Sequence, residues 1–332
     1  MHFARTEEQD ELATIVRSML DKRSDSTAVR AAVESERGYD ESLWQALCEQ
    51  VGVAALSVPE EYDGFGASLI ETATVLEELG HHLTPAPLLA TAIATTAVLL
   101  HADPDHRASL LPRIAAGEIA TLGLDDLLLD APAAALVLRL QDGHLELLPD
   151  PEVESVGALD QTLRLGRVAA GTVEPIGDVP SDRPLRDVAL ALTTAVQVGT
   201  AQRGLDMTVA YSKERVQFGR PIGSFQALKH RMADMLVLVE ASRSASWGAT
   251  AAAAAYVHDP TEPNAEMLRR RAAVARSYCS DALDHVASET VQLHGGIAIT
   301  WEHDAQLVFK RAHALSHLWE PAHVARAALL DR

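Results

Sequence analysis

Tyr211-Ser212-Lys213-Glu214-Arg215-Val216-Gln217-Phe218-Gly219-Arg220-Pro221-Ile222-Gly223-Ser224-Phe225-Gln226 is the stretch on which the reading of this chain turns. It joins the end of one helical segment to the start of the next through a Gly turn. Cations crowd it: Lys213, Arg215, Arg220, Lys229 and Arg231 stand against the single acid Glu214, in a protein whose formal net charge is -19. A local basic island on so acidic a surface suits a compact anionic ligand such as a pyrophosphate, because a diffuse polyanion is repelled by the rest of the surface. The charge pattern therefore argues against nucleic acid as a partner.

Outward from that stretch, the 332 residues with 48% hydrophobic content give enough chain and enough apolar mass for two or three domains. No uninterrupted apolar run reaches the roughly 18 to 20 residues that span a bilayer, and the opening Met1-His2-Phe3-Ala4-Arg5-Thr6-Glu7-Glu8 has no apolar leader core, so a cytoplasmic protein without membrane contact is expected. Cys48 and Cys279 have no CxxC partner and read as small core residues rather than a redox or metal pair. His313 and His317 share an i, i+4 spacing but lack a surrounding HExxH, so no metal site is expected.

Three regions separate by pattern. Residues 1–118 read as a helical domain, with apolar spacings of three and four over 7–20, 40–51 and 67–79, and with Ser68 or its small neighbours opening the last. Residues 119–180 change to short apolar runs split by Asp142-Gly143, a hairpin signal, and read as a small β domain. Residues 181–332 return to long helical segments, over 185–212, 225–257, 264–293 and 304–318, and predict an antiparallel four-helix bundle. The fold class expected is mainly α with a small β domain.

This order, with its motifs, resembles the acyl-CoA dehydrogenase family over nearly the whole chain. Leu43-Trp44-Gln45-Ala46-Leu47, Val58-Pro59-Glu60-Glu61-Tyr62-Asp63-Gly64-Phe65-Gly66 and Val75-Leu76-Glu77-Glu78-Leu79-Gly80 resemble the family's amino-terminal domain. Glu214 through Gln226 and Gln292-Leu293-His294-Gly295-Gly296 resemble its two flavin motifs. The resemblance implies FAD as cofactor and an acyl-CoA substrate, with both motifs reaching across a subunit interface to a flavin held mainly by the neighbour. Carried over, Arg215 bonds the pyrophosphate, Phe218 packs near the flavin nucleotide and Gln226 bonds toward the adenosine half. Gln292, Gly295 and Gly296 form the second contact, where missing side chains let backbone amides approach.

Other family parts are missing. The Thr-Glu-Pro-x-x-Gly-Ser type loop and the Trp-containing strand of the middle domain are absent, and the sequence after Thr121 runs Leu122-Gly123-Leu124-Asp125-Asp126 instead. The chemistry needs a carboxylate over the thioester. Ungapped counting from Gln292 places Trp319 at that position and the candidate base Glu320 one residue later, followed by Pro321-Ala322 where the family has Gly-Thr. The other position for a base falls near Leu190, with no acid beside it.

Complete trans contacts with depleted cis contacts are similar to the short subunits of actinobacterial heteromeric, α₂β₂ acyl-CoA dehydrogenases acting on steroid side-chain CoA thioesters. That similarity implies a larger homologous partner carrying the base, and an electron acceptor such as an electron-transferring flavoprotein. Two alternatives stay open: a self-sufficient homotetrameric dehydrogenase using Glu320, and a scaffold subunit that never touches flavin.

Overall fold

Two capping boxes start the amino-terminal helices. Thr6 accepts from the Gln9 amide while the Gln9 side chain accepts from the Thr6 amide, which opens α1 (Glu7–Arg23); Ser68 and Glu71 make the same reciprocal pair. The computed structural model describes residues 5–330. Residues 1–4, part of the stretch read for a leader, and 331–332, the end of the expected bundle domain, lie outside the described residues.

After α1 come α2 (Ser26–Glu34), α3 (Glu41–Ala46), α4 (Leu69–His81), α5 (Leu88–His101) and α6 (Pro104–Ala115). The helix expected over 40–51 is α3 followed by a wider π turn over Leu47–Val51, which ends where Gly52 turns left-handed at φ 74. Two small sheets follow. The first pairs β1 (Ala120–Gly123), β3 (Leu136–Gln141), β4 (His144–Leu148) and β7 (Glu174–Asp178) in that order; the second pairs β2 (Leu128–Leu129), β6 (Leu165–Ala170) and β5 (Glu152–Val156). β1 and β3 run parallel and the remaining pairs antiparallel. Asp142 and Gly143, both at positive φ, make the two-residue turn of the β3–β4 hairpin.

The carboxyl-side helices are α7 (Arg183–Glu214), α8 (Gln226–His258), α9 (Glu262–His294), α10 (Ala305–His317) and α11 (Ala322–Ala327), with a minimal hairpin of β8 (Val216–Gln217) and β9 (Arg220–Pro221) between α7 and α8. α7 is the central helix, buried from Asp187 to Ala201, and packs against α4, α8 and α9. Its approach to α4 depends on two glycines: a Cβ at Gly199 would lie 1.9 Å from the Glu77 carbonyl oxygen, and one at Gly80 would lie 2.5 Å from that of Val196. Any side chain at either position forces the helices apart.

One buried guanidinium ties the three regions together. Arg311 of α10 donates to the Thr162 hydroxyl at 2.6 and 3.0 Å and to the Leu83 carbonyl at 3.2 Å, and pairs with Asp160 at 3.4 Å. Such a network costs desolvation but fixes the β layer on the bundle, because losing one member leaves the others buried without partners. Among the described residues no helix is long and apolar enough to cross a membrane.

Candidate functional site

At the lower end of α7 the helix stops at Glu214, and the Arg215 amide still donates to the Tyr211 carbonyl at 2.8 Å. Phe218 and Gly219, at φ 51 and 77, turn the β8–β9 hairpin, and the Ile222 amide returns to the Arg215 carbonyl at 2.8 Å. Gln226 begins α8. Phe218 is 93% exposed although it is an aromatic ring on a strained backbone position, so it serves something other than this chain's own core. The Arg220 guanidinium lies 4.0 Å from the centre of the Phe225 ring. Among the described residues, no acid pairs with Lys213, Arg215, Arg220 or Lys229; Arg231 leaves the cationic island by pairing with Glu289 of α9.

The second motif lies at the same end of the bundle. Gln292 is exposed in the last turn of α9, and Gly295 ends the helix at φ 66, ψ -145, a conformation closed to side-chain-bearing residues. A Cβ added at Gly295 or Gly296 meets nothing within 4 Å, so the space above them is free of the chain's own atoms. Beneath them is a contact that the sequence reading missed. His294 stacks on Tyr211 at 4.5 Å and lies 4.7 Å from His303, and its Nδ1 donates to the Thr290 carbonyl at 2.7 Å. Burial lowers the pKa of both imidazoles, which disfavours their charged forms. Tyr211 sits one turn before Arg215 and His294 one residue before Gly295, so the stack fastens the two motifs to each other.

The loop after α10 is built in the opposite manner. Arg276 of α9 is fully buried and donates from Nε to the Glu320 carbonyl at 2.6 Å, from Nη1 to that of Leu315 at 2.7 Å and from Nη2 to that of Leu318 at 2.7 Å. Burial pushes its guanidinium down to about 10. Trp319 is held at φ 67, with its indole Nε1 donating to the Thr193 hydroxyl at 3.1 Å. The Glu320 carboxylate pairs with Arg183 at 2.9 Å, and Arg183 also pairs with Asp187 at 2.7 Å. Burial outweighs that guanidinium and raises the Asp187 carboxyl to about 6. Neither Arg183 nor Asp187 figured in the sequence reading, which searched for an acid near Leu190, three residues beyond Asp187.

Sequence comparison now identifies the scaffold. Residues 6–118 match the acyl-CoA dehydrogenase N-terminal domain and residues 190–318 the acyl-CoA dehydrogenase C-terminal domain, on either side of the two small sheets. The acyl-CoA dehydrogenase IpdE2 of Mycobacterium tuberculosis is 46% identical over 95% of this chain and 93% of its own length. The chain belongs to the acyl-CoA dehydrogenase family. The IpdE2 of Mycolicibacterium smegmatis is 45% identical over 95% of this chain and 96% of its own length. Among solved structures, a variant of the Tcur3481-Tcur3483 steroid ACAD superposes with a TM-score of 0.86 at 27% identity, covering 98% of this chain and 97% of that one. The ChsE4-ChsE5 complex from Mycobacterium tuberculosis shares the fold, with a TM-score of 0.84 at 24% identity over 99% of this chain and 98% of that one.

Thr121 of β1 is buried and gives its hydroxyl to the Leu129 carbonyl at 2.6 Å, so its only donor is spent inside the sheets. The remaining candidates are accounted for by local pairing. His313 and His317 lie with ring centres 4.8 Å apart and no third ligand joins them among the described residues. Glu78, His81 and His82 cluster closely enough for a cation, yet Glu78 is held by Arg17 at 2.6 and 3.0 Å, His81 by Asp206 at 3.0 Å and His82 by Asp21 at 2.9 Å. Burial pushes both thiols, Cys48 and Cys279, up to about 12, which leaves them unreactive at neutral pH.

Proposed function

We propose that this chain is the short subunit of a heteromeric, FAD-dependent acyl-CoA dehydrogenase, completing a flavin site whose other wall and catalytic base belong to a larger homologous chain. The observation that carries the reading is a contrast in the chain itself: the proposed nucleotide motifs are exposed, with no acid paired to Arg215 among the described residues, while the loop where a base belongs is tied to Arg276, Thr193 and Arg183 and leaves Glu320 one bonded and one unbonded carboxylate oxygen. The names of two structural neighbours, each a complex of two chains, point the same way.

The residues fit an extended dinucleotide. Arg215 offers a planar fork to a pyrophosphate, Gln226 and Gln292 offer amides to polar edges, Phe218 offers an uncovered ring, and Gly295 and Gly296 leave room for close backbone approach. FAD bound there would supply hydride acceptance as a carboxylate removes the α-proton of an acyl-CoA. This chain's part is to bind and orient the nucleotide and to keep its distal half out of water. Glu320 serves to neutralise Arg183 rather than as that carboxylate. The substrate class is a steroid side-chain CoA thioester, supported by the description of one neighbour as a steroid ACAD. Electrons pass on to a carrier such as an electron-transferring flavoprotein, in the cytoplasm.

Expression of the chain with and without its larger homologue tests the reading through the flavin absorbance of each preparation. The expected result is yellow protein only from the pair. A yellow, acceptor-reducing preparation of the chain alone would establish the homotetrameric alternative with Glu320 as base. A yellow complex whose FAD content is indifferent to Arg215→Ala would establish the scaffold alternative.

A further inference from the structure

Between His294 and His303 the chain leaves the core. Of residues 295–302 Ala298 alone is buried, and Ile297, Ile299 and Trp301 are 45%, 78% and 57% exposed. A segment that buries so little side chain has few contacts of its own to keep it in one place. Its position is therefore set at its two ends.

Those ends meet on Tyr211. The His294 ring stacks on Tyr211 with centres 4.5 Å and planes 27° apart, His303 closes on His294 at 4.7 Å, and Tyr211 meets His303 edge-on at 6.5 Å. Ring contacts of these geometries are attractive beyond the area they bury. Each imidazole is also fixed from behind: the His294 Nδ1 donates to the Thr290 carbonyl at 2.7 Å, and the His303 Nδ1 accepts from the Ala305 amide at 3.1 Å. Beside His303, the Asp304 carboxylate receives Arg30 of α2 at 3.0 Å and Arg203 of α7 at 3.2 Å. Helices α2, α7, α9 and α10 thus converge on the neck of one exposed segment.

The rings work by shape. Burial disfavours the charged form of both imidazoles, and with it the repulsion that two adjacent cations would exert. At one side of this neck begin Gly295 and Gly296, and one turn beyond Tyr211 on the same helix lies Arg215. The distance between the two proposed nucleotide motifs is therefore governed by three side chains that belong to neither.

We infer that Tyr211, His294 and His303 are positioning residues, which hold the second motif at a fixed place relative to Arg215 so that both meet FAD as one unit. The inference rests on the flavin site proposed above and adds to it a source of affinity. Contacts already held at the right spacing bind without an ordering cost, whereas contacts on a free segment lose part of their worth to it. A ring at 294 is the requirement, so Phe should replace His294 where a ringless polar residue does not.

Two measurements on the same variants test this. In the full-length chain, spin labels on Gln217→Cys and Glu302→Cys report the separation of the motifs by pulsed dipolar spectroscopy; burial pushes the native thiols of Cys48 and Cys279 up to about 12, so they stay unlabelled. In the complex with the larger chain, fluorescence titration gives the FAD dissociation constant. His294→Phe should keep a narrow distance distribution and an FAD affinity within about twofold of the parent, and His294→Asn should broaden the distribution and weaken FAD about tenfold. His303→Ala, at the half-buried edge of the stack, should give the same two changes with less disturbance of the core. Unchanged distances in both His294→Asn and His303→Ala, broadened distances with unchanged FAD affinity, or rescue by Asn and not by Phe would each overturn the inference while leaving the flavin site standing. A parent complex without FAD affinity, or with an affinity indifferent to Arg215→Ala, would overturn the flavin site itself and this inference with it.

Discussion

The two ends of the bundle's long helices treat polar groups in opposite ways. Where α7 and α9 run into the proposed nucleotide motifs, Arg215, Gln226, Gln292, Gly295 and Gly296 are exposed, and among the described residues no acid pairs with Arg215. Around the loop 318–321, Arg276 gives every face of its guanidinium to a carbonyl, Arg183 bridges two carboxylates, and even the indole of Trp319 has an acceptor. The difference teaches which end is prepared for a ligand. Groups fixed by internal bonds hold a shape, whereas exposed ones at family motif positions are available to bind. A carboxylate that must take a proton needs freedom to approach its substrate, and Glu320 has been given a fixed cation instead.

Replacing the staple is the harshest way to break this contrast. Arg276→Met keeps the volume but leaves three buried carbonyls without donors, and should lower unfolding free energy by about 3 kcal/mol. Arg215→Ala at the other end should change it by less than about 0.5 kcal/mol, since nothing in the fold leans on that side chain. Urea midpoints of the two variants measure this, and equal losses would mean that both ends are structural.

The end around Asp187 also predicts a pH dependence. Burial holds the folded Asp187 carboxyl at about 6, above its ordinary value near 3.9 in the unfolded chain. Between these values the folded state binds more protons than the unfolded state, so the contribution is fully present below about pH 4 and is lost as pH rises through about 6. Its size is on the order of 3 kcal/mol at most. Unfolding midpoints across that window should fall less steeply in Asp187→Asn than in the parent chain, and identical slopes would place the titration elsewhere.

How much of this could be read beforehand follows from the local physics. The long helices α7 to α10 announce themselves by long apolar segments with few internal breakers, and Ser68 with Glu71 announces a helix start because capping is a short-range bond. α5 gave no such signal: from Leu88 to Val98 it is buried on every side, so its apolar residues have no period to detect. Both stretches proposed to meet a nucleotide stood out as sequence because each is contiguous, and the structure places them at one end of the bundle. The Tyr211–His294 stack that joins them was not, although an aromatic one turn before Arg215 was there to be noticed. Arg276 was hidden for a different reason. A helical arginine reads as a solvated charge, and its acceptors are main-chain carbonyls about forty residues further along, which no side-chain pattern marks.

A gentler substitution sharpens the exposed end. In the complex with the larger chain, Arg215→Ala should weaken FAD by about tenfold, the share expected of one charge-assisted contact among several. Fluorescence titration of the apo-complex with FAD reads it. Arg215→Lys should recover only part of the loss, because an ammonium cannot present the guanidinium fork.

Glu320→Gln carries the smallest expected effect and the most information. Gln keeps the size and the hydrogen-bonding reach toward Arg183 while removing the charge and the basicity. If Glu320 is a counter-ion, turnover of the complex stays within about twofold of the parent and only a modest loss of stability appears, because Arg183 still has Asp187. If Glu320 removes the α-proton, turnover falls by about a hundredfold or more with little change in stability. The two roles differ in opposite directions on two measurements, so a single variant assayed for rate and for urea midpoint decides whether the loop 318–321 is scaffold or active site.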